Sequence, residues 1–363
     1  MQIQAAIAKG PGADFEIEPL TLTEPRDDEV LVRIKAVGLC HTDIGVRDAS
    51  VLPFPAVLGH EGAGVVEAVG ASVVKVAPGD RVLITFRSCG VCGRCRSGEP
   101  TYCDRFLPMN FAGARLDGSS SFEGGGVASN FFGQSSFATH ALTYERNLVK
   151  LPPDVPFAVA APLACGVQTG AGAILRALDC PPGSSVAVIG GGTVGLSAVM
   201  AAKARGCAPV ILIEPVGSRR TLGLELGATH AIDPFAGEIA PAVRAIAPAG
   251  VDFVLEAGGI LAGAQAAFGY MATRGVLGLV GAPPGGSQLQ LPLDLAIVFG
   301  FEVRGVIEGD SDPDVFIPEL LALHKEGRLP FDRLIATFPF DRINDAVAEQ
   351  LAGRVVKVVL LME

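Results

Sequence analysis

The run EVLVRIKAVG (29–38) alternates apolar and polar side chains, the period of a strand with one buried face. GAGVVEAVGASV (62–73) reads as two further short strands and GDRVLI (79–84) as another, with Gly and Pro punctuating the region at short intervals. That rhythm predicts a partly closed, β-barrel-like unit. From about Ser184 the pattern changes. SSVAVIG is an apolar strand, and a glycine turn leads into a helix from Thr193 to Arg205. PVILIE (209–214), HAID, VDFVLEAG and GVLGLVG are further strands, separated by helices near Arg219 to Leu226, near Glu238 to Ile246 and after VDFVLEAG. Strands alternating with helices predict a parallel, doubly wound sheet. The tail carries helices in DVFIPELLALHKEG and INDAVAEQLAG and a last strand, VVKVVLL, expected to fold back on the first domain and make it discontinuous.

Composition sets limits on partners. At 363 residues, 49% apolar and 18% charged, the chain has material for about two domains with a large core. Net charge is −10, from 28 basic and 38 acidic residues, so neither nucleic acid nor an anionic membrane is an expected partner. MQIQAAIAKG has no basic and apolar leader pattern, and the longest apolar run, VAVIGGGTVGLSAVMAA, is shorter than a bilayer span. A cytoplasmic protein is expected. In that compartment eight cysteines point to metal binding or catalysis rather than to disulfides.

Three constellations carry chemistry. Gly190-x-Gly192-x-x-Gly195 follows a strand, opens a helix at Thr193 and Val194, and is followed 24 residues after Gly190 by Glu214 at a strand end. This is the context of a dinucleotide site. The helix N-terminus offers amide donors to a pyrophosphate, and the Glu214 carboxylate suits ribose hydroxyls and repels a 2′-phosphate, which favours NAD. Arg219 and Arg220 keep NADP open as the alternative. The second constellation is Cys89, Cys92, Cys95 and Cys103, spaced C-x2-C-x2-C-x7-C. Four thiolates on one loop close tetrahedrally around zinc; an iron–sulfur cluster is the rival. The third is GLCHTDIG (38–45). Read as an extended segment, it turns Cys40 and His41 to opposite faces, so they are not expected on one ion. His60 in LGHEGAG and Cys165 in PLACGVQTG are the better partners for Cys40, making a Cys2His set with a fourth position open.

GLCHTDIG, PAVLGHEGAGVV, GDRV, the four-cysteine loop, CGVQTGAGAI and VIGGGTVGL occur in the order that makes the chain similar to zinc-dependent medium-chain alcohol dehydrogenases, along essentially its whole length. NFFGQSSFATHA, CGVQTGAGAIL and GVIEGDSDPDVFIPEL resemble the aryl-alcohol (benzyl-alcohol) dehydrogenase branch, which is in turn similar to terpene and allylic alcohol dehydrogenases. The resemblance implies an α/β fold: a GroES-like β-rich catalytic domain (1–166, completed by 309–363) and a Rossmann domain (167–308). It implies two zinc ions, catalytic on Cys40, His60 and Cys165 and structural on the cysteine loop. It implies reversible oxidation of a primary alcohol to an aldehyde with NAD. Thr42 is then the proton relay, Asp43 the carboxylate behind His60, and Glu61 a carboxylate beside the metal or a transient ligand. His41 and Lys357 are then pyrophosphate contacts, and a homodimer or homotetramer is expected. Thr85 and Phe86, just before the cysteine loop, are the expected reach into the substrate pocket. Where better-known relatives carry a histidine three residues after the relay hydroxyl, this chain has Gly45. Aliphatic alcohols and a glutathione adduct of formaldehyde are alternative substrates. A zinc-free reductase and a non-catalytic NAD-binding protein are the rival readings.

Overall fold

The computed structural model describes residues 1–362; the final residue of the expected 309–363 segment lies outside them. The chain forms two compact units. The first holds residues 1–165, 312–314 and everything from Leu334 onward, and the second holds 166–311 and 315–333.

In the first unit, β1 (Gln2–Ala8), β2 (Phe15–Thr21) and β4 (Ala56–Val57) make a small sheet with β1 in the middle. A larger, seven-stranded sheet is built on β3 (Glu29–Leu39), which pairs antiparallel with β5 (Gly62–Val69) and β7 (His140–Tyr144). Next to β5 come β6 (Arg81–Ile84) and β8 (Leu148–Lys150). GAGVVEAVGASV makes one strand rather than two, because Ala71 and Ser72 turn and Val74 is exposed. GLCHTDIG also departs from expectation. It is not extended, because α1 (His41–Asp48) begins immediately after Cys40.

The second unit is a six-stranded, wholly parallel sheet. Its strands are β9 (Val186–Ile189), β10 (Val210–Ile213), β11 (His230–Ile232), β12 (Val251–Glu256), β13 (Met271–Leu279) and β14 (Glu302–Gly305), in the order β11-β10-β9-β12-β13-β14. Strands β9 and β10 are buried on both faces, as a sheet covered by helices on each side requires. The core packs Ile189, Ile211, Val254, Phe268, Tyr270 and Leu277 together.

The chain returns to the first unit through β15 (Ile335–Pro339) and β16 (Lys357–Leu361), and β16 pairs antiparallel with β3. Residues 315–333 do not join this return, although they fall within the expected 309–363. Phe316, Ile317 and Leu320 bury their side chains, Arg176 pairs with Glu319, and Arg328 donates to the Ala204 carbonyl (2.8 Å). Those contacts tie the segment to the second unit.

Among the described residues no single helix is long and apolar enough to cross a membrane. The bent pair Phe157–Ala164 and Gly166–Ala177 matches a span only by length and composition, and from Ala160 to Leu175 it is buried in protein.

Candidate active site and metal centres

The end of β3 sets the first site. Cys40 is the N-cap of α1, and the cap is reciprocal: the Cys40 sulfur accepts from the Thr42 N–H (3.5 Å), while the Asp43 carboxylate accepts from the Cys40 N–H (2.9 Å). A helix N-terminus favours a thiolate. The second oxygen of Asp43 accepts from the Gly59 N–H (3.0 Å) and lies 2.9 Å from His60 Nδ1. With Nδ1–H held by a carboxylate, Nε2 carries the lone pair of the ring. That atom is buried without a hydrogen-bond partner.

Cys40, His60, Glu61 and Cys165 each offer one ligand atom, and these atoms lie within 4.8 Å of one another. Neighbouring Cys165, and then His60, hold the Cys40 thiol well below its ordinary range against the opposing effect of burial. Burial works against a charged His60, but the Asp43 carboxylate and the Cys40 sulfur raise the ring well above its usual value. A cluster of sulfur and imidazole donors that prefers negative sulfur and leaves one buried nitrogen orphaned fits a cation. Two sulfurs and one imidazole are the donor set of a zinc site with an open position.

His41 sits outside this cluster, exposed on the first turn of α1. Thr42 is half-buried, with its hydroxyl oxygen 3.6 Å from the Cys40 sulfur. Lys357 is buried: its ammonium donates to Glu61 Oε1 (2.7 Å) and to the Leu39 carbonyl (3.0 Å), and it stands at ion-pair distance, 2.5 Å, from Glu61 Oε2. Burial pushes the Glu61 carboxyl up to about 7, with Lys357 pulling the other way. Burial likewise opposes the charge on Lys357, but Glu61 holds its ammonium above the ordinary value. Thr85 and Phe86 are both buried: the Thr85 hydroxyl donates to the Ala164 carbonyl (2.7 Å), beside Cys165, and Phe86 packs on Phe106.

Sequence reasoning missed the support behind His60. Gln134 donates to the carbonyls of His60 (2.9 Å) and Ile84 (3.1 Å) and accepts from the Gly62 N–H (3.1 Å). The Phe132 ring stacks on the imidazole at 4.5 Å between centroids, held there by a left-handed backbone (φ 52°) that is unusual for a bulky residue. Both lie in NFFGQSS, where the only available signal was likeness to a family branch.

The second cluster is the cysteine loop, whose four sulfurs also lie within 4.8 Å of one another. Cys89 and Cys95 are 3.9 Å apart, and Cys92 and Cys103 are 4.0 Å apart. Four sulfurs tetrahedrally bound to one zinc stand about 3.8 Å apart. Backbone N–H groups of Val91, Cys92, Cys95 and Arg105 point at three of these sulfurs. Backbone donors from Cys95 and Asp104 lower Cys92 to about 6, whereas burial pushes Cys103 up to about 12.

In the second unit the glycine turn follows β9, and the helix Thr193–Arg205 starts from Gly192. A Cβ on Gly195 would stand 1.8 Å from the Gly190 carbonyl oxygen, so only glycine lets the helix close on the strand. Nothing lies within 4 Å of a Cβ built on Gly192, which leaves that face of the turn open, as a phosphate cradle requires. Glu214 is buried, and its oxygens accept from the N–H groups of Gly191 (2.5 Å) and Val216 (2.8 Å), so it also braces the turn. Arg219 is half-buried. Arg220 is committed to the carbonyls of Glu214 and Pro215 (both 2.7 Å) and to Asp233 (3.0 Å).

Comparison with known proteins agrees with both halves. Residues 26–153 match the alcohol dehydrogenase GroES-like domain, and residues 193–325 match the zinc-binding dehydrogenase domain. The chain is 45% identical over 362 residues to geraniol dehydrogenase of Castellaniella defragrans, covering 99% of this chain and 97% of that one. The solved structure of benzyl alcohol dehydrogenase from Acinetobacter calcoaceticus superposes with a TM-score of 0.97 at 41% identity, covering 100% of both chains. An alcohol dehydrogenase zinc-binding domain protein from Burkholderia ambifaria gives 0.97 at 45% identity, over 100% of this chain and 99% of that one.

Proposed function

The chain belongs to the zinc-dependent alcohol dehydrogenase family, and from that premise we propose that it interconverts primary benzylic or allylic alcohols and their aldehydes. Its cofactors are zinc and NAD. Cys40, His60 and Cys165 would hold the catalytic zinc and the four-cysteine loop the structural one. The observation that carries this reading is the orphaned Nε2 of His60 among two cysteine sulfurs. When bound, zinc supplies the Lewis acidity that makes an alcohol a better proton donor, and NAD accepts the hydride.

The protein's own part is positioning. Asp43 fixes the His60 tautomer, Phe132 and Gln134 fix the ring and its strand, and α1 caps Cys40. Thr42 Oγ1 takes up the alcohol proton as its own hydroxyl proton passes on to the nicotinamide ribose. His41 and Arg219 are assigned to the cofactor, with the amides of Thr193 and Val194 on its pyrophosphate. The benzylic or allylic substrate is inferred from likeness to proteins named for benzyl alcohol and geraniol. A panel of benzyl alcohol, geraniol, ethanol and S-hydroxymethylglutathione, with NAD or NADP, tests it. Turnover of the first two with NAD, abolished by a chelator and restored by zinc, is expected. Turnover that survives removal of both metals would refute the reading.

We assign Glu214 to the adenosine ribose. Glu214→Gln keeps one acceptor for the turn but loses the charge-assisted bond, which is worth about 1.5–3 kcal/mol. The KM for NAD should rise about tenfold or more, and the preference over NADP should shrink. An unchanged KM would remove the residue from the cofactor site.

We also propose a homo-oligomer, a dimer at least and a tetramer as the alternative. β14, an edge strand, is exposed along its whole length. The preceding helix Leu293–Phe299 buries none of its residues and exposes Leu293, Ile297 and Val298. An open strand edge beside an uncovered apolar helix suits a second copy of the chain. A monomer in sedimentation at assay concentration would refute this. For location we propose the cytoplasm, where a reducing thiol pool keeps the eight cysteines, none of them in a disulfide, available for metal.

A further inference from the structure

We propose that Lys357 is a positioning residue that acts through Glu61: its ammonium holds the carboxylate beside the metal position and so keeps the fourth position open for alcohol. The inference rests on the metal reading above and concerns a contact that reading does not use.

The geometry is closed on all sides. Glu61 is wholly buried, and one of its oxygens lies within 4.8 Å of the ligand atoms of Cys40, His60 and Cys165. Lys357 Nζ reaches both Glu61 oxygens, at 2.7 and 2.5 Å. The lysine is itself anchored. It opens β16, whose ladder sets Val358 opposite Leu39, and its Nζ donates to the Leu39 carbonyl (3.0 Å), one residue before Cys40. Gly38, opposite Val359 in the same ladder, leaves room for the carboxylate: a Cβ there would stand 1.8 Å from Glu61 Oε2. Strand β3 thus supplies the anchor for the lysine, the space for the carboxylate and the first ligand.

A buried carboxylate needs a cation. Within this cluster the candidates are the Lys357 ammonium and the metal, because a His60 that lends Nε2 to a metal is neutral. A carboxylate hydrogen-bonded to an ammonium through Oε1 and ion-paired with it at Oε2 is withheld from the metal, and one that loses the ammonium has the metal as its remaining partner. Lys357 therefore sets how far Glu61 enters the coordination shell.

Cobalt(II)-loaded protein provides a readout separate from turnover. The parent, Lys357→Met, Lys357→Arg and the double variant Lys357→Met/Glu61→Gln are compared by visible absorbance, with the cysteine-loop bands cancelling in the difference spectrum. Lys357→Met should lose intensity in the four-coordinate bands as Glu61 becomes a further ligand. Its metal should also leave to a chelator more slowly than from the parent. Lys357→Arg and the double variant should keep the parent's bands. Should Lys357→Met fail to accumulate, Lys357→Gln retains a donor toward Leu39 and should show the same loss. Unchanged bands with metal release faster by about 10–100-fold, the pattern of an ordinary outer contact, would overturn the inference. So would a loss of bands that persists without Glu61. A parent that takes up only one cobalt per chain would overturn the metal reading, and this inference with it.

Discussion

Cys165→Ala is expected to fold, to retain one zinc per chain instead of two, and to lose alcohol oxidation by about a thousandfold or more. The fold survives because the backbone at this point is held independently of the sulfur: the Thr85 hydroxyl bonds the Ala164 carbonyl, and Gln134 binds the neighbouring strand. The substitution removes a single heavy atom. The metal does not survive, because Cys40 and His60 alone leave the ion two protein ligands short of a closed shell and one short of the catalytic set. Polarisation of an alcohol by a metal is worth several kcal/mol, and each factor of ten is about 1.4 kcal/mol, which sets the thousandfold scale. Metal analysis and turnover of benzyl alcohol check it together. Two zinc ions per chain with turnover within a factor of ten of the parent would show that Cys165 is no ligand.

The parts of this protein legible from sequence are those specified locally. The turn from Gly190 to Gly195 and the helix Thr193–Arg205 lie where apolar periodicity and glycine spacing put them, because strand, turn and helix are contiguous. Cys89 to Cys103 is one short loop, so spacing alone brings its sulfurs together. Legibility fails where partners are distant or the backbone is unusual. Cys40 follows an alternating strand, which suggested that the extension continued. The contrary signal was Asp43, three residues on, making an N-terminal cap with sulfur in place of the usual hydroxyl. Lys357 sits in an apolar strand, and its partner is 296 residues away, so nothing local marks it as half of a buried ion pair. The left-handed Phe132 behind His60 is imposed by tertiary packing, for which the local run of residues carries no signal.

Asp43→Ala should damage stability and metal binding at once, and the two losses separate its roles. The carboxylate is wholly buried and serves three donors: the Cys40 N–H, the Gly59 N–H and the His60 ring. Leaving a buried donor unsatisfied costs about 1–3 kcal/mol, so the metal-free protein should lose roughly 3–5 kcal/mol against urea, with water entering the cavity to recover part of the sum. Metal affinity at the Cys40 site should fall about 10–100-fold, because the imidazole is no longer held in the tautomer that frees Nε2. Asp43→Asn separates the effects. Its oxygen still accepts from Gly59 and His60, but its amide sets a donor against the Cys40 N–H. It should recover much of the ring's orientation and metal affinity while the helix cap stays broken. Equal losses in both variants would mean that charge on the carboxylate matters more than tautomer. An Asp43→Ala protein within about 0.5 kcal/mol of the parent and unchanged in metal affinity would show that this residue organises neither helix nor histidine.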